Sequence, residues 1–210
     1  MSDIRVQNTK NNLIAALLGC LENKSVHELK VKDIIDKAGV STRTFYQYYS
    51  DVNDLLRDTE DSFVAEYLKN VEKDRDSLGE LDLDTPFEDQ LETILNATKN
   101  TIEFCYAHKK EIQLFLSDNG DTRFYNMIFQ TGCEEIMKRM SQMKNIDELK
   151  MDEKEQMRMM ISVQVFVHSI IGMVRVLLEY SDRLAPYDVR QSILTFLRES
   201  PVASMNINKK

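Results

Sequence analysis

Tryptophan is absent from this 210-residue sequence, and proline and glycine occur only three and six times. So few breakers over such a length exclude collagen-like and disordered compositions. They also argue against the closely spaced turns of an all-β protein. Only three cysteines occur, Cys20, Cys105 and Cys133, far apart and with no CxxC pair. That pattern argues against a disulfide framework and fits free thiols in a reducing compartment. HExxH, GxSxG, a phosphate-binding glycine loop and any Cys/His cluster are all missing, and His27, His108 and His168 are dispersed. Neither an enzyme, a cofactor nor a metal site is therefore expected. The longest apolar stretch, VQVFVHSIIGMVRVLLE, contains Gln164, His168 and Arg175, so no membrane span is expected. LIAALLGCL at 13–21 lacks a small-residue cleavage site and reads as a core-facing first helix rather than a secretory signal.

What is present is charge, unevenly spread, and helical periodicity. The formal net charge of -8 divides into +1 for residues 1–57 and -9 for the remainder, which restricts contact with a polyanion to the N-terminal part. The spacing of Leu13, Ile14, Leu17, Leu18 and Leu21 predicts a helix over 9–22. VKDIIDKA carries an apolar stripe of Val31, Ile34, Ile35 and Ala38, and Gly39 supplies a left-handed stop. Ser41 is placed to cap a third helix, to about Tyr48, and Ser50 or Asp51 a fourth, over 52–75. Gly79 and Pro86 mark a loop over 76–86, and Thr85, Pro86 and Glu88 open a helix to about His108 with a capping box. Further helices are predicted over 109–116, 122–143, 152–180 and 186–199, the long one capped by Asp152 with Glu155. The expectation is an all-α protein of about nine helices.

AGVSTRTFYQYYSDVNDLL at 38–56 crowds four aromatic rings behind a glycine turn. Two short helices joined by such a turn and supported by a first helix make a helix-turn-helix. On its second helix Phe45 faces the core, whereas Thr42, Arg43, Tyr46 and Gln47 share the opposite face. That face is polar and uncharged apart from Arg43, as suits an element entering the major groove. Of Tyr48 and Tyr49, one is expected to pack beneath the next helix and the other to reach the DNA backbone.

VKDIIDKAGVSTRTFYQYYSDVNDLL resembles the DNA-binding segment of the TetR family of bacterial one-component regulators, over roughly residues 9–57. The resemblance implies a three-helix DNA-binding domain at 1–57 and a ligand-binding and dimerisation body at 58–210. It places Lys32 toward DNA, and the full set assigned to DNA is Lys32, Ser41, Thr42, Arg43, Thr44, Tyr46, Gln47 and Tyr48. Two positions depart from the family pattern: Arg43 stands where a small residue is common, and Val52 where the family has a phosphate-binding lysine. Restoring Val52→Lys is expected to strengthen binding to all DNA alike and to steepen its salt dependence. Backbone N–H groups near Ser41 and Asp51 are expected to be available to phosphate.

The resemblance further implies a body that pairs through its last two long helices and encloses a ligand pocket. Independently, Gln164, His168, Gly172, Arg175 and Glu179 form a semi-polar stripe on an otherwise apolar helix, facing either a partner or the pocket. The dimer interface is assigned to Gln164, Gly172, Arg175, Glu179, Ile193, Phe196 and Leu197. The pocket is assigned to Phe63, Tyr67, Phe104, Phe124, Met127, Phe166 and His168, although helical spacing alone favours core packing for each ring. Nine of eleven methionines fall between Met127 and Met173, which fits either an adaptable pocket or gap-filling in a helical core. The functional expectation is a ligand-responsive homodimeric repressor in the bacterial cytoplasm, binding palindromic double-stranded DNA and a small-molecule effector. The alternative is a DNA-binding scaffold with a protein partner and no effector.

Overall fold

The computed structural model describes residues 2–78, 93, 98–141 and 152–198. The described residues contain no strand, and the all-α expectation holds. In chain order the helices are α1 (Ser2–Leu21), a 3-10 turn (Val26–Glu28), α2 (Val31–Ala38), α3 (Thr42–Tyr46) and α4 (Val52–Leu78). They continue with α5 (Lys99–Ala107), α6 (Lys109–Phe115), α7 (Thr122–Ser141), α8 (Glu153–Glu179) and α9 (Pro186–Arg198). The predicted capping box at Thr85–Glu88 and most of the predicted 76–86 loop lie outside the described residues. α1 begins at Ser2 rather than near Thr9, because nothing in DIRVQN breaks a helix.

Two compact units are present, Met1–Glu66 with Lys110–Ile128, and Tyr67–Lys109 with Phe129–Lys210. The first therefore runs past residue 57 and takes in a segment from much later in the chain. In it, Leu13, Leu17 and Leu21 are buried on one face of α1, which packs on α2, and Ile34, Phe45, Leu55, Leu56 and Phe63 are buried as well. Gly39 ends α2 at φ 66°, and the Val40 N–H closes on the Ile35 carbonyl. Lys37 reaches from α2 to the Gly19 carbonyl at 2.6 Å, satisfying one of the open acceptors at the end of α1.

The later segment joins this unit through hydrogen bonds that no local pattern announces. Asn119 Nδ2 donates to the Leu21 carbonyl at 2.9 Å, while the Val26 N–H donates to the Asn119 carbonyl at 2.9 Å. Below them Phe63, Phe115 and Phe124 form a triangle of tilted rings, with centroids 4.7 to 5.7 Å apart. Beside the triangle Arg123 donates through Nη1 to Glu60 Oε2 at 2.6 Å and through Nη2 to Asp61. Glu60 is 0% exposed, and its Oε1 has no partner among the described residues. The loop depends on Gly120, where a Cβ would sit 2.3 Å from the Phe115 carbonyl oxygen. Gly120→Ala is therefore expected to shift the loop and cost about 1–3 kcal/mol, measured by chemical denaturation.

In the second unit, Asp74 of α4 is fully buried and caps α5 from outside it. Its carboxylate accepts from Asn100 N, Asn100 Nδ2 and Thr101 N at 2.7 to 2.9 Å, where Thr98 makes no side-chain cap of its own. Arg75 and Arg139 both donate to Glu135 at 2.7 and 2.9 Å. Val189 and Ile193 of α9 form a core with Ile102, Met173, Leu177 and Leu184. Tyr106 OH lies 2.9 and 3.0 Å from the Ser181 and Leu184 carbonyls, bracing the turn between α8 and α9. Asp152 and Glu155 form the predicted capping box of α8.

Candidate nucleic-acid interface

The chain between Gly39 and Val52 has five residues of α-helix, and its side chains divide sharply into engaged and unengaged. Ser41 caps α3 by accepting from the Thr44 N–H at 3.1 Å, and its hydroxyl also meets Thr44 Oγ1 at 2.8 Å. Phe45 is fully buried, one turn on from that cap, with its ring 6.1 Å from Tyr49 and edge-on to Tyr46 at 5.5 Å. Tyr49 is buried too and donates to Asp58 at 2.8 Å, while Lys10 of α1 approaches the same carboxylate at 3.4 Å and lies over the Tyr49 ring. Burial, with the Asp58 hydrogen bond, raises the Tyr49 hydroxyl above its ordinary range, so it remains a donor. These contacts staple α1, α3 and α4 into one rigid head.

The opposite face is left open. Thr42, Arg43, Tyr46 and Gln47 are exposed, Tyr46 by 57%, and their side chains make no hydrogen bond or ion pair among the described residues. Tyr48 is half-buried at the edge of this face, and Lys32 is exposed on α2. Of the residues assigned to DNA, Ser41 and Thr44 are occupied with each other, while the remaining six keep some or all of their surface.

Two observations bear on the neighbouring helix. The N-terminus of α4 is closed by its own carboxylates: Asp51 Oδ1 accepts from the Asp54 N–H at 2.8 Å, and Asp54 Oδ2 accepts from the Ser50 N–H at 2.8 Å and the Ser50 hydroxyl at 3.1 Å. The Ser50 N–H and hydroxyl hold Asp54 below the usual carboxylate range. These donors are therefore already taken, as is the Thr44 N–H at α3. Val52 is only 6% exposed, so a lysine there must thread out of the core. Val52→Lys is expected to cost about 1–2 kcal/mol of stability in urea denaturation, which offsets the gain in DNA affinity its charge would bring.

With this geometry in place, residues 13–59 match the family described as bacterial regulatory proteins, tetR family. Residues 13–59 thus carry the DNA-binding segment of the tetR family. The fold of the chain is similar to that of a TetR-family transcriptional regulator from Syntrophomonas wolfei, at 16% identity and TM-score 0.61, over 96% of this chain and 99% of that one. A TetR-like regulator from Rhodococcus sp. RHA1 is similar at 12% identity and TM-score 0.56, over 89% and 92% of the two chains. The fatty acid degradation regulator FadR from Bacillus halodurans is similar at 15% identity and TM-score 0.56, over 92% and 96%. No curated protein matches the sequence.

The residues assigned to a pocket are distributed over both units. Phe63 and Phe124 are buried in the ring triangle of the first unit, which also contains Met127. In the second unit Tyr67 and Phe104 meet at 6.2 Å, His168 stacks on Phe129 at 4.1 Å, and Phe166 is largely exposed. The residues assigned to pairing on α8, namely Gln164, Gly172, Arg175 and Glu179, are all exposed, as is His168 between them. On α9 Phe196 is exposed, and Ile193 is buried with Val189 against Ile102, Met173, Leu177 and Leu184. Leu197 falls among side chains outside the description. Asp58, Asp54 and Glu60 were missed; Asp51-x-x-Asp54 is a capping spacing that the sequence does show, whereas nothing local links Tyr49 to Asp58.

Proposed function

We propose that the chain is a ligand-responsive, homodimeric repressor that binds a palindromic operator through α3. The observation that carries this reading is the open face of Thr42, Arg43, Tyr46 and Gln47 on a helix whose other face is locked into the head. Those side chains supply the donors, acceptors and methyl group that base edges recognise, with Lys32 and Tyr48 beside them for backbone phosphate. The reading head proper is assigned to 1–57, and effector binding and pairing to 58–210, in a bacterial cytoplasm.

Pairing is supported by α8. Val163, Val167 and Ile171 are its buried stripe, whereas Ile161, Val165 and Val176, with His168, Gly172 and Glu179, are exposed on the remaining surface of the helix. An exposed apolar stripe of this length marks an interface. α8 is also the one described helix long and apolar enough to cross a membrane. Gln164, His168, Arg175 and Glu179 on its outer face suit a protein partner better than lipid. Release of DNA follows if an effector prefers a state whose two α3 helices no longer match major grooves roughly 34 Å apart.

Footprinting of the purified protein on the DNA upstream of its own reading frame is expected to protect an inverted repeat. A thermal-shift screen of small metabolites then identifies the effector class. Protection of no duplex at all defeats the reading, and DNA binding by a complex with a second protein, indifferent to every metabolite, favours the scaffold.

A further inference from the structure

We infer that Arg43 selects the operator by taking a guanine edge in each half-site. This rests on the DNA-binding reading above and adds to it which base is chosen and by which side chain. Arg43 is the second residue of α3, at the end of a recognition helix that meets base edges, and it is the only cation that helix carries. Its guanidinium is exposed and makes no hydrogen bond or ion pair among the described residues, although carboxylates are nearby in sequence on either side. By contrast Lys10, Lys24 and Lys37 of the same head are each bound to an oxygen of the protein.

The surroundings shift the grip from phosphate toward bases. At α4 Asp51 and Asp54 set carboxylates at the helix N-terminus and take the Asp54 N–H, so a phosphate there meets negative charge. Ser41 fills the corresponding donor at α3. Exposed Lys32 and half-buried Tyr48 remain for phosphate on this side, and Asp36 is exposed on the same helix as Lys32. On α3 itself Arg43 is the cation placed beside the base-contacting face of Thr42, Tyr46 and Gln47, and its planar two-pronged donor is matched by guanine O6 and N7.

The test is selection from a randomised duplex library with the full-length wild-type protein, Arg43→Ala and Arg43→Gln, followed by titration at several salt concentrations. The wild type is expected to fix a G·C pair at one symmetric position of each half-site. Arg43→Ala loses that preference, weakening the selected site by about 10- to 100-fold while leaving sites already lacking the pair little changed. Arg43→Gln moves the preference toward A·T, which a purely electrostatic role would not do. Equal weakening of every sequence with a shallower salt slope makes Arg43 a phosphate contact and overturns the inference, as does an unchanged preference. If the wild type binds no duplex, it is the DNA-binding reading that fails.

Discussion

A chain carrying Val165→Asp and Val176→Asp is expected to remain folded, to sediment as a monomer and to bind its operator at least about 100-fold more weakly, since linking two heads multiplies half-site affinity by roughly that factor or more. Both valines are more than half exposed in the single chain, so the substitutions remove little from its core. In an isologous pair each aspartate meets the same face of the other copy, and buried unpaired carboxylates are costly. Circular dichroism is expected to be unchanged, with the loss appearing in sedimentation velocity and in operator titration. Gly172 gives a finer probe of the same face. A Cβ there meets nothing within 4 Å inside the protomer, so Gly172→Leu is neutral or better for the isolated helix. Any loss it causes in self-association reports the close approach of a second helix. A double aspartate variant that stays dimeric would move the pairing surface off α8.

Glu60 gives the second large effect, and it runs opposite to ordinary acid denaturation. Burial raises this carboxyl to about 7 from 4.5, opposed by the hydrogen bond and charge of Arg123, with Asp121 and Asp61 raising it further. Between those two values the folded chain holds a proton that the unfolded chain has released. The group's contribution to stability is therefore full below pH 4.5 and is lost as pH rises through about 7, a change of about 3 kcal/mol. Glu22, Asp33, Asp54 and Asp182 act in the other direction. Their hydrogen-bonding partners, Lys110, Lys24, Ser50 and Lys109 respectively, hold them below the usual range, so their contribution is lost as pH falls through their folded values. The midpoint of urea denaturation is expected to be highest between these regimes, near pH 5 to 6, and to fall toward pH 8. Glu60→Gln keeps the shape without the charge, and is expected to flatten the alkaline slope and to be more stable than wild type at pH 8. The same slope in both proteins would mean that Glu60 is ionised throughout.

The reading head was legible because its determinants are local. Gly39 must follow Ala38 for α2 to stop in the left-handed region, Ser41 stands three residues before the N–H it caps, and the periodicity of α3 separates Phe45 from Tyr46. The capping box of α8 and its semi-polar exposed stripe were legible for the same reason, since both repeat within a few residues. What spacing could not supply is the company each side chain keeps across the fold. Phe63 and Phe124 were candidates for a pocket, although an aromatic at helical spacing more often packs in a core. Only the structure supplies that each lies against the other and against Phe115. Val52 looked like an open position for a lysine because exposure is not written in sequence, and the Asp51–Asp54 closure of α4 became decisive only with the distances known.

By itself the sequence determined an all-helical chain with a helix-turn-helix near its start and an acidic remainder, because breakers, caps and period act over four residues or fewer. The tertiary structure alone decided that residues 110–128 return to the head, that Glu60 is sealed beside Arg123 and that Asp74 caps a helix 26 residues onward. Those choices depend on which distant surfaces bury each other, and a carboxylate's neighbours, hence its charge, exist only once the chain has closed around it.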